Sequence, residues 1–597
     1  MMKKILYSIL AVAAVFAVSS CEKNLEIPQK GVVSYDNFYA SDADATAARA
    51  NMYANYIQNV AGTEGIDNPE QVILNYSSDD ILSAGGHLDD HDGFRVFDEF
   101  RYDDAYGTLN SCYQRYYYSI YHANLIISNF TNENRNQTEP KFTSAFTNQC
   151  VAEARVMRAY LHLMTALMWN CPPIMDRLYE ADELPTNAES QKQVLDWVIA
   201  ECDKAIKSGS LPKRNGKSDK DATAIMTVGF AQFIAGKAAM FNNDPATARK
   251  YLGDLINSGD YALIDGSEYW TNFHVAGDGN SEKIFEPNFI EDPAFTNNAW
   301  GSGAPIQRGR WMVANVFLWR IGNLASKPIV GGSDGWNGGA IQNDFAKRFL
   351  AHDGDSPRRK ACFITEDEFL YELDWAGSEV NDGTLAEKKA DPARGISSAG
   401  VFSHGPYFEW KHMVYLNPPK ILTGGKEYPA DNVSGLGWNS NQKNFNVARY
   451  AEALLLYAEA CIGADEAAGL KALNAVQERS GSGKISSKLT FEDVMEEKQY
   501  EMWFENCRFL DLVRWAKQGK VDLNKIFNES KIHETVTIVY DEYTTEGKPG
   551  YKKEHKLFTE LTTVKFNKFE DKYMYFPFPR QVKTANPNLH DVGGWAK

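Results

Sequence analysis

Apolar residues recur at intervals of three and four over several long stretches, and this repeat limits the chain to a largely helical fold. The clearest stretch is Cys150–Trp169, where Val151, Ala154, Met157 and Leu161 begin the series. Such spacing places one apolar stripe on a helix that packs against a core. The same rule predicts helices over Asp44–Tyr56, Ser111–Phe130, Gln191–Lys207, Ala222–Phe241, Asn446–Cys461, Glu466–Arg479 and Phe491–Asn506.

Residues suited to helix ends support these predictions. Asp244 can cap free backbone N–H groups, Pro245 fits the first helical position, and Gly259 fits a left-handed end. Thr490 with Asp493 resembles a capping box. Helix pairs repeat at a spacing of roughly 34–40 residues, which is typical of tetratricopeptide-like scaffolds. We therefore predict a mainly α fold built from such pairs.

Between Tyr261 and Asn444 the helical pattern breaks down, and glycine and tryptophan residues are interleaved. Long irregular segments are often functional. Trp300, Trp311 and Trp336 lie among Asn, Gln and Gly residues. A sugar ring has an apolar C–H face and a rim of hydroxyls, so it needs a flat aromatic surface beside polar groups. These tryptophans are candidate ligand-binding residues, although large aromatics also anchor loops to a scaffold.

A polar loop over residues 77–110 is the second candidate region. It contains Asp80, His87, Phe94, Arg95 and Tyr102, which combine aromatic surface with polar groups. The acidic run at 89–93 lacks the spacing of a calcium-binding loop. We interpret it as a solvated turn and predict no metal site.

The amino terminus predicts the compartment. Lys3 and Lys4 precede an apolar run over residues 5–18, and Ser19 and Ser20 lead to Cys21. A basic start, a short apolar stretch and small residues make a secretory signal that is too short to span a bilayer. Residues 18–21, at the end of this amino-terminal segment, resemble the lipobox, the motif at which bacterial lipoproteins are cleaved and acylated. We expect lipidation at Cys21, with an ordinary secretory signal as the alternative.

Charge and cysteine content narrow the function classes. Removal of residues 1–20 takes away two lysines and no acid, so the net charge changes from −17 to −17 − 2 = −19. This charge argues against nucleic acid and against an anionic ligand in a broad basic groove. Seven cysteines follow Cys21, an odd number without a Cys-x-x-Cys pattern. Buried free thiols are favoured, with one or two disulfides as the alternative.

No motif for catalysis or for cofactor binding is evident in the chain, so we predict neither an enzyme nor a cofactor. The charged residues 501, 505, 508, 511 and 514 lie at helical spacings, as in an ion-pair network. Two carboxylates of a glycosidase would face each other across a sugar cleft instead. A surface glycosidase therefore remains only a minor alternative.

Several strings resemble the SusD/RagB family of surface lipoproteins, and they occur in the family's order. They are Leu25–Gln29, Phe38–Tyr39, Glu153–Tyr160, Ser281–Glu286, Arg449–Ala460, Leu473–Gly481, Glu497–Trp515, Phe576–Pro579 and Asn586–Leu589. Two positions depart from the family pattern. Asn506 stands where a glycine is usual, and Ser480 stands where an alanine is usual.

The resemblance implies about four tetratricopeptide-like helix pairs and a variable loop layer that carries the ligand site. It also implies nutrient uptake at the outer membrane, with an oligosaccharide ligand and a SusC-like TonB-dependent porin as partner. RagB-like relatives handle peptides, which is the alternative cargo. The expected organisation is a signal peptide (1–20), an N-terminal scaffold (21–260), a ligand-binding layer (261–444) and a C-terminal scaffold (445–597).

Overall fold

A computed structural model describes the greater part of the chain. The described residues are 38–61, 69–85, 92–133, 139–289, 338–365, 368, 407–409, 411–415, 418–431, 443–530, 532–538, 558–565 and 569–596. Helices dominate these ranges and the strands are short, so the prediction of a mainly α fold is confirmed.

The elements up to residue 257 are α1 (Asp42–Ala61), α2 (Pro69–Tyr76), β1 (Ile81–Ser83), α3 (Asp92–Asp98), α4 (Gly107–Phe130), α5 (Ala145–Trp169), α6 (Gln191–Lys207), α7 (Val228–Phe241) and α8 (Pro245–Asn257). The middle of the chain forms β2 (Lys283–Phe285), β3 (Gly339–Ile341), α9 (Asn343–Asp353), α10 (Pro357–Cys362), β4 (Phe363–Thr365), β5 (Tyr407–Glu409) and α11 (Lys420–Thr423). The last part forms β6 (Ala448–Arg449), α12 (Tyr450–Cys461), α13 (Glu466–Ser480), α14 (Phe491–Glu501), α15 (Arg508–Lys517), α16 (Leu523–Ser530), β7 (Ile532–Ile538), β8 (Phe558–Lys565) and α17 (Arg580–Ala585).

The scaffold is a row of helices that pack side by side in the order α1, α4, α5, α6, α7, α8, α12 and α13. This order gives the pairs α1–α4, α5–α6, α7–α8 and α12–α13, as the prediction of about four pairs requires. The row is continuous in space although the chain between α8 and α12 forms a different layer. Each helix can therefore bury its apolar stripe against two neighbours.

Side chains cap the helices where the sequence indicated. Asp244 accepts a hydrogen bond from the N–H of Thr247 at 3.1 Å, and Thr490 accepts one from the N–H of Asp493 at 3.1 Å. Gly259 has a φ of 74°, which is the left-handed conformation expected after α8. Local capping chemistry therefore sets these boundaries.

The strand pair β2–β6 joins the middle of the chain to the C-terminal helices. Lys283 pairs with Arg449, and Phe285 pairs with Ala448. Both strands are short and buried, and α12 begins directly after β6. The sequence predicted a helical region from about Phe445, but this strand delays the helix because the backbone at 448–449 bonds to a partner far away in the chain.

Arg449 is the centre of a buried ion-pair network. Its guanidinium lies 2.7 Å from each oxygen of Glu505 and 3.0 Å from Glu501, and it also pairs with Glu282. Arg479 lies 2.7 Å from Glu282. The arginines hold the pKa of Glu282 below its ordinary value despite its burial. The network thus ties β2, β6, α13 and α14 together.

A second set of ion pairs brings the middle layer into the same network. Lys411 lies 2.7 Å from Glu505, and Arg358 at α10 lies 2.9 Å from Asp353 and 3.3 Å from Glu501. The side chain of Arg358 is completely buried. Buried charges are tolerated only when they are paired in this way.

The charged residues 501–514 do form ion pairs, but they do not lie on one helix. The predicted helix Phe491–Asn506 ends at Glu501, and Phe504 and Asn506 have φ values of 62° and 61°. The left-handed conformation at Asn506 explains why glycine suits this position. Arg514 pairs with Asp511 on its own helix at 3.0 Å, whereas the other partners of this set lie on different elements.

Two segments predicted as loops contain regular structure. The region 77–110 includes β1, α3 and the start of α4, and α2 precedes it. The region 261–444 includes a 3-10 helix over Gly266–Phe273 and also α9 and α10. These elements are short, so hydrophobic periodicity has too few residues in which to appear.

The C-terminal segment returns to the first half of the scaffold. The N–H of Phe576 donates to the carbonyl of Met168 at 2.9 Å, and the indole N–H of Trp169 donates to the carbonyl of Pro577 at 3.1 Å. The seven cysteines after Cys21 are free and buried, as the sequence favoured. None of the helices in the described ranges combines the length and apolar character that a membrane crossing requires.

The close contact of α7 with α8 can be tested at Gly236. A Cβ atom at this position would lie 2.5 Å from Cγ of Leu252, so Gly236→Ala should lower the free energy of unfolding by about 1–3 kcal/mol. Gly253→Ala is the matched control because its Cβ would meet the nearest atom at 3.4 Å. This control should be neutral or more stable by about 0.5–1 kcal/mol. Urea unfolding followed by circular dichroism measures both, and equal values would contradict the described packing.

The Arg449 network can be tested by removing its central cation. Arg449→Met leaves buried carboxylates short of a partner, so the free energy of unfolding should fall by about 3–5 kcal/mol. Arg449→Lys keeps the charge but loses the two-point contact with Glu505, and its loss should be smaller. Denaturant unfolding compares the three proteins. A methionine variant as stable as the parent would show that the network contributes nothing to stability.

Candidate functional site

The strand pair β1–β3 brings the two candidate regions of the sequence together. Ile81 pairs with Ile341 and Ser83 with Gly339, and the N–H of Ala84 donates to the carbonyl of Gly338 at 3.0 Å. The two strands are antiparallel. Residues 86–91 and residues 290–337 therefore connect to the same end of this pair. We call residues 76–85 together with 338–345 the strand junction.

Tyr76 connects the strand junction to the helices α2 and α3. Its hydroxyl donates to the carbonyl of Gly338 at 2.7 Å, and its ring stacks on Phe94 with centroids 5.2 Å apart. The N–H of Ser83 donates to Asp98 of α3 at 2.6 Å. The junction is thus held by α2 and α3 as well as by its own strands.

Asp80 connects the strand junction to the C-terminal scaffold. Its carbonyl accepts hydrogen bonds from the N–H of Gln342 at 3.0 Å and from the indole N–H of Trp503 at 3.2 Å. Its carboxylate accepts hydrogen bonds from Ser78 at 2.7 Å and from Gln499 at 3.2 Å. The side chain is buried, so Asp80 stabilises the junction from the interior of the protein.

The pKa values of the neighbouring carboxylates Asp79 and Asp80 are shifted in opposite directions. Arg508 contacts both oxygens of Asp79, at 2.7 and 2.8 Å. Burial opposes ionisation of Asp79, but the charge of Arg508 holds its pKa below the ordinary value. Burial raises the pKa of Asp80 to about 6, and the charge of Asp79 adds to this rise. Both carboxylates are thus engaged by neighbouring protein groups.

A polar cleft opens beside these groups. It has a volume of about 460 Å³, and its walls include Asp79, Gln342, Arg348, Gln499 and Arg508. Within the described residues, no cluster of three or more His, Cys, Asp or Glu side chains could hold a metal ion. The cleft therefore offers hydrogen-bonding groups of both charge signs next to the strand junction.

A second strand pair lies beside the first. Phe363 pairs with Glu409 and Thr365 with Tyr407, and β5 of this pair contacts β3. The chain between Thr365 and Tyr407 therefore begins and ends at one end of β4–β5. The short connection 86–91 and the two long connections 290–337 and 366–406 thus each have at least one end at these two neighbouring strand pairs.

The structure places three of the predicted ligand-binding residues inside the protein. Asp80, Phe94 and Tyr102 have exposed fractions of 1, 3 and 2%. Tyr102 packs against Tyr573 and Phe576 with centroids 5.1 and 5.4 Å apart. These side chains support the junction or the core and do not form a ligand surface in this conformation. The sequence could not show this because aromatic residues suit a core as well as a binding surface.

The remaining predicted residues divide into two groups. Arg95 lies 3.1 Å from Glu99 and 3.2 Å from Asp92, so it is engaged in ion pairs at α3. His87, Trp300, Trp311, Trp336 and Cys21 lie outside the described residues, and their roles stay predictions. The sequence missed Gln499 and Trp503 as supports of the junction because they lie far away in the chain and contact Asp80 only in the folded protein.

Comparison with known proteins shows similarity to one family. A family model described as the SusD family matches residues 425–595. A SusD-like protein of Bacteroides ovatus is 23% identical over 99% of this chain and 98% of its own length. Residues 425–595 thus match the SusD family, and the chain as a whole is similar to a SusD-like protein. The matched region contains Arg449, Glu501, Glu505 and Arg508, which form the buried ion pairs described above.

Solved structures share the same fold. A laminarin-binding SusD-like protein superposes with a TM-score of 0.65 at 20% identity, covering 93% of this chain and 100% of that chain. Surface glycan-binding protein A from Bacteroides thetaiotaomicron, in complex with laminarihexaose, gives 0.65 at 19% identity and covers 92 and 98%. The corresponding protein from Bacteroides uniformis gives 0.65 at 17% identity and covers 93 and 100%. At these identities the likeness establishes the fold.

The support that Asp80 gives to the junction predicts a specific pH dependence. Because its pKa is higher in the folded protein than in the unfolded chain, unfolding releases a proton. The contribution of Asp80 to stability therefore falls as the pH rises from about 4 to about 6. Asp80→Asn should remove this loss, as measured by urea unfolding at pH 4 to 8.

Asp79→Asn is the matched control with the opposite sign. The lowered pKa of Asp79 means that its ion pair with Arg508 stabilises the fold above the ordinary carboxyl pKa and weakens as the pH falls. The control should therefore be destabilised at pH 7 and approach the parent in acid. An Asp80→Asn protein with the same pH profile as the parent would refute the electrostatic description of the junction.

Proposed function

We propose that this protein is a SusD-like cell-surface lipoprotein that binds an oligosaccharide and passes it to a SusC-like TonB-dependent porin for import. The observation that carries the proposal is the strand junction, which joins the two sequence regions with candidate sugar-binding residues. Proteins of the same fold are named for glycan ligands, laminarin and laminarihexaose among them. The RagB-like alternative, peptide cargo, is decided by the experiment below.

The chemistry of the attached segments suits a neutral sugar. Trp336 lies two residues before Gly338, where the chain enters the strand junction. The segment 290–337 also carries Trp300 and Trp311 among amide side chains. Aromatic faces supply apolar contact to the C–H surface of a sugar, and amides match its hydroxyls. With a net charge of −19 after cleavage, the protein would repel most anionic polymers, which favours an uncharged glycan.

Binding without catalysis is the role that this arrangement supports. The adjacent carboxylates of Asp79 and Asp80 at the strand junction are engaged by Arg508, Ser78 and Gln499. A glycosidase would need two carboxyl groups roughly 5–10 Å apart on either side of the glycosidic bond. We therefore propose non-covalent capture, with the lipid at Cys21 as the membrane anchor.

A binding screen tests the proposal with the soluble form, residues 22–597. Calorimetry or affinity gels should show saturable binding to at least one neutral polysaccharide, and no binding to mixed peptides. Trp300→Ala, Trp311→Ala and Trp336→Ala are made in parallel. At least one of them should weaken binding by about tenfold or more, because a stacked aromatic contributes on the order of 1 kcal/mol beyond its buried area.

The controls keep the result interpretable. The matching Trp→Phe variants retain an aromatic face and should lose less affinity than the alanine variants. Thermal unfolding checks that each variant keeps its fold. Binding of peptides with no response to any glycan would replace the sugar proposal by the RagB-like alternative. Release of shorter sugars from a bound polysaccharide would instead point to a glycosidase.

A further inference from the structure

The helix α4 has an unusual charge distribution for a helix that reaches the surface. Over the 24 residues Gly107–Phe130, Arg115 is the one residue of the Asp, Glu, Lys and Arg types. In the whole chain, such residues make up 24%. Exposed positions on helices of an acidic protein usually carry charges. This helix instead presents tyrosine, histidine and amide side chains.

Two tyrosines on α4 are exposed next to each other. Tyr118 and Tyr121 have exposed fractions of 56 and 49%. Within the described residues, the other large apolar side chains exposed to this degree are Leu184 and Ile485, and they lie elsewhere in the chain. A single exposed ring needs no explanation, but two on one helix turn form a surface.

His122 links the two tyrosine rings. Its ring centroid lies 4.7 Å from that of Tyr118 and 5.6 Å from that of Tyr121. Nδ2 of Asn51 on α1 donates to Nδ1 of His122 at 2.9 Å, and Asn55 donates to Oδ1 of Asn51 at 3.0 Å. The histidine is thereby held against the tyrosines by the neighbouring helix.

This hydrogen bond fixes the proton of His122. Burial lowers the pKa of His122, so the ring is neutral at pH 7. Because Nδ1 accepts the hydrogen bond from Asn51, the ring proton lies on Nε2, which is buried and has no hydrogen-bond partner among the described residues. The surface that a ligand could contact combines the two exposed tyrosine rings with the exposed Asn51.

We propose that Asn51, Asn55, Tyr118, Tyr121 and His122, together called the tyrosine face, bind a neutral saccharide chain outside the loop layer. This inference rests on the proposed function. Tyrosine rings would contact the C–H face of a sugar, while the asparagine amides would meet its hydroxyls and His122 would hold the rings in place. An uncharged surface in a strongly acidic protein favours an uncharged ligand.

The position of the tyrosine face suits a long polymer. The helix α2, which leads into the strand junction, packs on α4. A polysaccharide long enough to reach both regions would gain avidity from the second contact. A stable protein–protein interface buries about 1,200 Å² or more, whereas the exposed rings here number two. A sugar chain is thus the better match.

Affinity electrophoresis in gels that contain the neutral polysaccharide bound by the parent protein tests this inference. The double variant Tyr118→Ala with Tyr121→Ala should show an apparent Kd about five- to tenfold higher than the parent. The double variant Tyr118→Phe with Tyr121→Phe keeps both rings and should bind like the parent. Leu184→Ala with Ile485→Ala removes the other exposed apolar side chains and serves as the matched control, with no change expected.

The outcomes separate this inference from the proposed function. A parent protein that binds no polysaccharide would overturn both. A parent that binds, with an alanine double variant that binds equally well, would overturn only the tyrosine face. Sedimentation of each protein follows self-association, and a change there without a change in the gels would show that a second copy of the chain covers this surface. The single variant Tyr118→Ala, checked by thermal unfolding, repeats the test with less disturbance of the fold.

Discussion

Arg449 lies where three parts of the chain meet, and its ion pairs with carboxylates from different elements hold the layers in their arrangement. Glu282 directly precedes β2 in the middle of the chain, whereas Glu501 and Glu505 come from the C-terminal helices and the break between them. Lys411 of the middle layer contacts the same Glu505. A buried guanidinium offers five donors in a fixed plane, so it can satisfy several carboxylates at defined angles. Burial then makes any misplaced partner costly, which fixes the relative positions of these elements.

The geometry of the strand junction at the candidate site depends on this ion-pair network. Glu501 is the last residue of α14, and Glu505 lies within the short break before α15. Trp503, in the same break, donates its indole N–H to the carbonyl of Asp80. Arg508 follows directly and pairs with Asp79. The strand junction is therefore supported by residues whose own positions are set by buried ion pairs.

Several charges in the interior of the protein are paired, and those at the surface are mostly acidic and unevenly distributed. The overall charge is −17, yet several arginines are buried with carboxylate partners, so the paired charges contribute stability and not surface potential. The surface is acidic on average, but α4 is nearly uncharged. Both sugar-binding proposals depend on this contrast between an acidic surface and uncharged binding regions. Neutral ligands are selected by stacking and hydrogen bonds and not by long-range electrostatic attraction.

The sequence by itself determined the helical scaffold and the caps at Asp244 and Thr490, since these rest on contacts within a few residues. It also indicated the charged residues of the ion-pair network and marked Trp300, Trp311 and Trp336 as candidates. It placed Phe94 and Tyr102 on a ligand surface, whereas both lie in the packed interior. Hydrophobic periodicity records which residues are buried within one helix, but not which aromatic residue meets a distant partner.

Only the tertiary structure decided how the distant parts join. The pairing of Ser83 with Gly339, and of Lys283 with Arg449, is made by backbone hydrogen bonds that any residue can supply. The break at Phe504 and Asn506 depends on conformations imposed by packing and ion pairs from other elements. The neutral face of Tyr118 and Tyr121 likewise becomes visible only when the two other sides of α4 are covered by α1 and α5. Local pattern fixes the elements, and non-local contacts fix their arrangement.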